Sequence, residues 1–342
     1  MSASSGDDSE GRRHPALAFL VRAWPWLFLF MLCVFFETWA RASYGISFLF
    51  NRFNLQSIAL FAAFPLLLGL GQTFVIIAGG IDLSVGFVMG LAAVVMARVM
   101  QSITPLDPAL ALLCGIIAAI LISLVPGWIN GTLISRLRVP PFIGTLGMFG
   151  VARGAGFLTA GGTTVPVNNE WLFAMGNSRI LEIPVPVIIT VLILIAMHWA
   201  LSQSRFGQYT YAIGGNRTAA VRSGINVRRH TLYLYMISAA CAGVAGMIYT
   251  ARFSAGAAQA GEPILLDSIA AVVIGGASLF GGSGTIIGTL IGALIIAIIQ
   301  YGLVFINVEP FWQFVAVGIV IIVSVLIDQS REKLTGDRHD SD

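Results

Sequence analysis

Few residues in this chain have the types and spacing needed for bond-making chemistry. The 342 residues include one lysine, four histidines and three cysteines. A nucleotide-binding loop of the form GxxxxGK[ST] needs its lysine on the β- and γ-phosphates. Lys333 is followed by Leu334, so the chain cannot form that loop. His14 and His339 fall in the tails, His198 lies near a span end and His230 at an inner interface, so each reads as interfacial or solvated and no catalytic constellation emerges. Cys33, Cys114 and Cys241 all sit in apolar runs and read as small hydrophobes, which suggests neither a disulfide nor a metal centre. The remaining chemistry is that of ionisable groups in or beside grease: Glu37, Asp82, Arg153, Asp267 and Asp328. Such groups are costly in lipid and commonly handle ions, protons or polar cargo. Asp82, Asp267 and Asp328 read as helix caps or anchors at span ends, and Glu37 lies near the outer end of the first span. Arg153 is the deep one, and its structural role would be to pair with backbone carbonyls between helices.

A second kind of chemistry, docking, is carried by YAIGGNRTAAVRSGINVRRH, Tyr211 to His230. It is basic and glycine-rich in a chain that is otherwise greasy. Asn216 is a good N-cap and Gly224 is well placed just past a helix end. The spacing predicts a helix of about two turns, entered by a flexible Gly214-Gly215 and presenting a flat face at Ala219 and Ala220. A solvated connector would satisfy the same composition. A helix that docks into another protein would use both the caps and the paired glycines.

These residues need a scaffold, and composition names it. The chain is 57% hydrophobic and 10% charged, with a net charge of +3 and a mean hydropathy of +0.88. Soluble domains are about 25% charged, so this chain belongs in a lipid bilayer, and its charge gives no argument for nucleic acid. Spans of roughly 20 apolar residues are expected at 16–39, 55–78, 84–101, 108–129, 141–160, 184–202, 230–252, 267–280, 285–304 and 311–328. That is an all-α membrane protein of about ten helices, the eighth short enough to be tilted or re-entrant. The first run, though followed by Ala40-Arg41-Ala42, is too long for a cleaved signal and is expected to stay as a span. Polar tails are expected at 1–15 and 329–342, the first of them disordered.

Basic residues orient the spans. With the N-terminus inside, thirteen fall on the inner face and five on the outer, with Arg153 inside a span. That bias puts both termini in the cytoplasm. The stretch Tyr211–His230 then belongs to the largest inner loop, 203–229. Two phrases fit GGxxLxxG, one at Gly79-Gly80-Ile81-Asp82-Leu83-Ser84-Val85-Gly86 and one at Gly275–Gly282, and both fall at inner span ends. Gly79, Gly80, Asp82, Ser84, Gly275 and Gly276 thus form an inner-face motif that hints at internal duplication. Asp82, helped by Ser84, is expected to cap the third span. The stretch Asn130–Gly147 holds two arginines and then Pro140-Pro141, a normal helix start.

Four motifs in order, GGIDLSVG, NGxLIxxLxVPPFIxTLG, FGxYxYAIGGNxxAAxxSGI and IAAVVIGGxSLxGGxGxxxGTxxGALI, resemble the permease subunits of bacterial ABC importers of the ribose/xylose/galactose type. The resemblance runs from about Gln56 to Asp328. One departure is Phe280, where a small or polar residue is expected near the inner gate. The resemblance implies a multi-pass subunit of the bacterial inner membrane that is not itself an enzyme and needs no cofactor. It also implies three protein partners: a separate ABC ATPase subunit, a periplasmic solute-binding protein, and a second or sister permease. In such permeases the loop after the sixth span couples to the ATPase, which assigns that contact to Gly214, Gly215, Asn216, Ala219, Ala220, Ser223 and Gly224. A monosaccharide would need scattered hydrogen-bonding groups along its route. Gln72, Asn130, Thr145 and Thr289, with Thr73 and Ser238, are polar groups within spans, and each could instead bond a neighbouring helix. The resemblance implies a loose path with no tight pocket, and the outer segment Ser254–Asp267, with Glu262, could dock the binding protein. The rival reading is a carrier driven by an ion gradient.

Overall fold

The computed structural model describes residues 15–335, and the side chains of 23–326. Residues 1–14 of the first expected tail and 336–342 of the second therefore lie outside the described residues, as do the side chains of Asp328 and Lys333.

The chain is a bundle of helices. α1 (Pro15–Tyr44) is followed by α2 (Arg52–Ile77), α3 (Val85–Ile103), α4 (Pro108–Ser135) and α5 (Pro141–Ala160). A short stretch after α5 holds β1 (Val165–Pro166), α6 (Glu170–Asn177), β2 (Arg179–Ile180) and β3 (Ile183–Pro184). Then come α7 (Val185–Ser202), α8 (Arg205–Gly215), α9 (Arg217–Arg222) and α10 (Val227–Phe253). After β4 (Ala255–Gly256) the chain closes with α11 (Glu262–Ile274), α12 (Ile286–Phe305) and α13 (Phe311–Thr335). Local chemistry sets many boundaries. The Asn51 side chain accepts from the N–H groups of Phe53 and Asn54, Asp107 accepts from Ala109 and Leu110, and proline opens α4, α5 and α7 in the first turn.

Among the described residues, eight helices are long and apolar enough to cross a bilayer: α1, α2, α3, α4, α5, α7, α10 and α12. The other two expected spans differ. α11 has 13 residues and begins at Glu262 rather than 267. α13 is a 25-residue helix that covers the expected span 311–328, with its apolar stretch described over Phe311–Leu326, and it continues to Thr335, through the start of the expected tail. Lipid explains why helices dominate, since a spanning backbone must satisfy its own hydrogen bonds.

α2, α3, α10 and α12 form the buried centre, and Leu67, Leu68, Met89, Met96 and Ile295 are fully enclosed. α4 instead exposes the row Leu113, Ile117, Leu121 and Val125 along one side, as a face toward lipid or another chain does.

Two connections are not loops on the surface. After α2 the chain turns back into the bundle through Gly80–Ser84, so that Asp82 stands beside Gln72, one turn and more before the end of α2. From the opposite face, residues 255–261 run down along α3. Val165 pairs with Gly256 in a two-residue antiparallel bridge, and a Cβ on Gly256, Gly90 or Gly86 would collide with the backbone of Ala93, Ala258 or Gly261 in turn. Ala257 and Ala258 are buried. Of the segment expected as an outer docking loop, 255–261 is a short bridge and turn packed against α3, and 262–267 opens α11. Missing side chains on α3 and small ones on the segment let the two backbones touch. Glu262, at the head of α11, stays exposed.

Candidate functional site: the junction behind α9

α8 and α9 form a small platform on the arginine-rich face. Ser204 caps α8 by accepting from the Gly207 N–H at 3.3 Å. Asn216 is extended (φ −157°) and its side chain accepts from Ala219 N at 2.9 Å, which starts α9. Gly224 adopts φ +82° and closes it, with Gly224 N to Val221 O at 3.0 Å and Ile225 N to Ala220 O at 3.1 Å. Ile213, Ala220 and Val227 make a private apolar core beneath the helix.

This geometry divides the residues assigned to docking. Gly215, Asn216, Ala219, Ser223 and Gly224 are exposed, whereas Ala220 is buried at 3% and faces inward. The flat alanine face does not exist, because consecutive helical residues point about 100° apart. Gly214-Gly215 is not a flexible entry either. Both residues belong to α8, and Gly214 is a point of close approach. A Cβ there would stand inside contact distance of the Ile77 carbonyl and 2.6 Å from Gly282 N.

Gly214 thereby joins three stretches of backbone. Gly282 N–H donates to the Ile77 carbonyl at 2.8 Å, and Gly281 (φ +94°) lies against Gly79 and the Gly214 carbonyl. The Tyr211 hydroxyl donates to Gly284 O at 2.7 Å, and burial raises its pKa above the ordinary tyrosine value. The two GGxxLxxG copies, from distant parts of the chain, thus meet each other and α8. Gly275 packs in the same fashion against Gly288 at the start of α12, while Gly276 turns the chain at φ +91°. Phe280 does not fill the gate: its side chain is 67% exposed and only its carbonyl approaches Gly79.

Above this junction lies a polar knot. Asp82 is 1% exposed. Its Oδ1 accepts from Ser84 N at 3.0 Å and from Ser84 Oγ at 2.6 Å, and its Oδ2 accepts from Ser238 Oγ of α10 at 3.0 Å. Its backbone N–H and C=O both bond the Gln72 amide. Asp82 is therefore not a cap: Ser84 holds the cap position of α3 without a side-chain bond to the helix. It is a clasp that ties the re-entrant turn to α2 and α10. Asn130 Nδ2 donates to Ser84 Oγ at 3.0 Å, and its Oδ1 is a buried acceptor without a partner. Thr145 donates to the Pro141 carbonyl in its own helix at 2.9 Å, and Thr73 and Thr289 share a bond of 2.6 Å between α2 and α12. Gln72, Asn130, Thr73, Thr289 and Ser238 thus close contacts between elements, and Thr145 mainly serves its own helix, with a longer 3.4 Å contact to the Ile81 carbonyl of the re-entrant turn.

Other ionisable groups resolve differently. Arg153 is exposed on α5 and lies over the Phe87 ring at 5.3 Å, so a ring replaces the expected backbone carbonyls. Glu37 accepts from Ser47 and from the N–H groups of Phe48 and Leu49, each between 2.9 and 3.0 Å, and so fastens the α1–α2 connection. His230 is buried rather than solvated, sharing a 2.9 Å bond with Thr210 and packing on Phe206. Asp267 is no end-anchor: it lies in the middle of α11 and accepts from Gln300 Nε2 at 2.8 Å. Sequence reasoning misplaced it by starting that helix at 267. Among the described residues, no cluster of three His, Cys, Asp or Glu side chains could hold a metal.

Residues 54–325 match the family described as branched-chain amino acid transport system / permease component. The ribose import permease protein RbsC of Bacillus subtilis (strain 168) is 41% identical over 78% of this chain and 81% of its own length. The fructose import permease protein FrcC of Rhizobium meliloti is 35% identical over 82% of this chain and 79% of its own. The D-allose transport system permease protein AlsC of Escherichia coli (strain K12) is 36% identical over 81% and 83%. No solved structure matches the chain significantly.

Proposed function

The chain belongs to the family of branched-chain amino acid transport system permease components, and on that premise we propose that it is the membrane subunit of an ATP-driven importer for a monosaccharide or similar polyhydroxy solute. The sugar assignment draws on the ribose, fructose and allose permeases named above. In this reading the α9 face is cytoplasmic, the membrane is the bacterial inner membrane, and the protein works as a pair with a second copy or a sister permease. A binding protein delivers solute to the opposite face, where Glu262 is one point of contact. A separate ATPase receives α9, whose exposed Asn216, Ala219, Ser223 and Gly224 form the contact.

The observation that carries the proposal is the Gly214 junction. A docking helix is useful for transport only if its displacement reaches the spans. Behind α9, the backbone of α8 rests directly on the end of α2 and on the 281–282 turn that leads into α12. Closure of the ATPases would push α9, move these three stretches together and strain the Asp82 clasp one layer above. Opening of the inner face follows when the Thr73–Thr289 contact parts, while the clasp keeps the re-entrant turn tied to α2 and α10.

The test is purification in mild detergent with the encoded ATPase. The wild-type chain is expected to retain it and the Ala219→Arg variant to lose it, with equal amounts of folded permease. Solute uptake by the chain alone down an ion gradient, without ATP, would instead establish the carrier reading, for which the buried Asp82 is the favouring observation.

A further inference from the structure

A cavity of about 440 Å³ lies on the side of the bundle away from α9, between α2, α10, α11 and α12. Its mouth is at Ser57, Arg252 and Phe253, near the outer ends of α2 and α10. Its walls include Phe61, Phe64 and Tyr249, and its polar end is Asp267 with Gln300. Asp267 lies in the second turn of α11 and Gln300 five residues before the end of α12, so the polar end sits in the half of the bundle away from α9.

We propose that this cavity is the transit site for the sugar. The proposal rests on the importer reading above and gives it a place.

Three features fit an uncharged cyclic polyol. The first is a cluster of rings: Tyr249 lies 6.3 Å from Phe64 and 4.7 Å from Phe253, centroid to centroid. Such a surface takes the C–H face of a sugar ring, while the tyrosine hydroxyl offers a polar handle. The second is unspent hydrogen-bonding capacity. Asp267 Oδ2 accepts from Gln300, but Oδ1 receives no hydrogen bond and the carboxylate meets no arginine or lysine among the described residues. Gln300 keeps its carbonyl oxygen free in the same way. A carboxylate beside an amide binds neighbouring hydroxyls through charge-assisted bonds. An acidic group left half-satisfied among the helices of a membrane protein marks a path for polar cargo. The third is the closed floor. On the α9 side of Asp267 the bundle is sealed by the Thr73–Thr289 bond and by Gly69, where a Cβ would lie 3.0 Å from Thr289 and 3.4 Å from the Ser268 carbonyl. The cavity is thus shut toward α9, as a loading site should be. Its size is that of a small-molecule site.

The experiment uses the chain reconstituted in proteoliposomes with its ATPase and binding protein, and a panel of labelled aldopentoses, aldohexoses and ketohexoses. Asp267→Asn should lower ATP-driven uptake of the preferred sugar at least tenfold, and Tyr249→Leu several-fold. ATPase retention and folded yield should stay at wild-type levels in both. Gln300→Asn should change the order of preference among the sugars, which a purely structural role would not do. Wild-type uptake and unchanged preference in all three variants would overturn the proposal. If Asp267→Asn fails to fold, the other two variants still decide it. Failure of the wild-type complex to take up any of these sugars with ATP would instead remove the importer reading itself.

Discussion

Asp82 and Asp267 are the same residue in two very different settings. Both lie inside the bundle and neither meets a cation among the described residues. Asp82 is wrapped: both oxygens and both backbone groups are bonded, to Ser84, Ser238 and Gln72. Asp267 is bonded once, through one oxygen, and the other faces a cavity. The contrast separates structure from function without reference to position in the sequence. A buried carboxylate whose lone pairs are spent holds the fold, while one whose lone pairs are spare is available to cargo.

The sharpest way to break this comparison is to truncate both. Asp82→Ala strands the Ser84 N–H and the Ser238 hydroxyl, a loss of roughly 3 kcal/mol. Folded yield in detergent should fall severely. Undiminished yield with lost transport would make Asp82 a working residue and erase the distinction. Asp267→Asn should do the reverse, keeping yield and losing most uptake. A smaller effect sharpens the comparison from outside. Asn216→Ala removes one cap bond from an exposed six-residue helix, costing about 1 kcal/mol locally. Uptake should drop a few-fold, ATPase affinity should weaken, and the thermal stability of the bundle should hardly change. Equal losses in stability and affinity would show that α9 is part of the core rather than a docking element.

Much of the architecture was readable because lipid permits so few solutions. The eight long helices follow directly from apolar runs, and the caps Asn216 and Gly224 follow from residue type. What was not readable depends on touching backbones. Ser254–Gly261 is small and polar enough to pass for a surface loop, and only the glycines of α3 across from it make it interior. The turn 275–284 looks apolar enough to extend a span. Its glycines instead take positive φ at 276, 281, 282 and 284, so α11 ends at Ile274 and its true start moves up to Glu262. That shift carried Asp267 from a supposed helix end to the cavity. α8 was read as linker because its apolar residues Phe206 and Ile213 are few, and it gains its helix from packing on α7, α2 and α10.

The Gly214 junction has a mechanical consequence. Where side chains separate two elements, a small push is absorbed as they change rotamer or slide, and part of the stroke is lost. At Gly214, where α8 meets the end of α2 and the 281–282 turn, backbone touches backbone with no side chain between to yield. A linkage made of peptide groups in contact has no backlash. On the importer reading proposed above, a push delivered at α9 would reach the spans through this contact, and the same stiffness would let the linkage work in reverse. Solute arriving at the far side and shifting α2 would be felt at α9 before any nucleotide is spent.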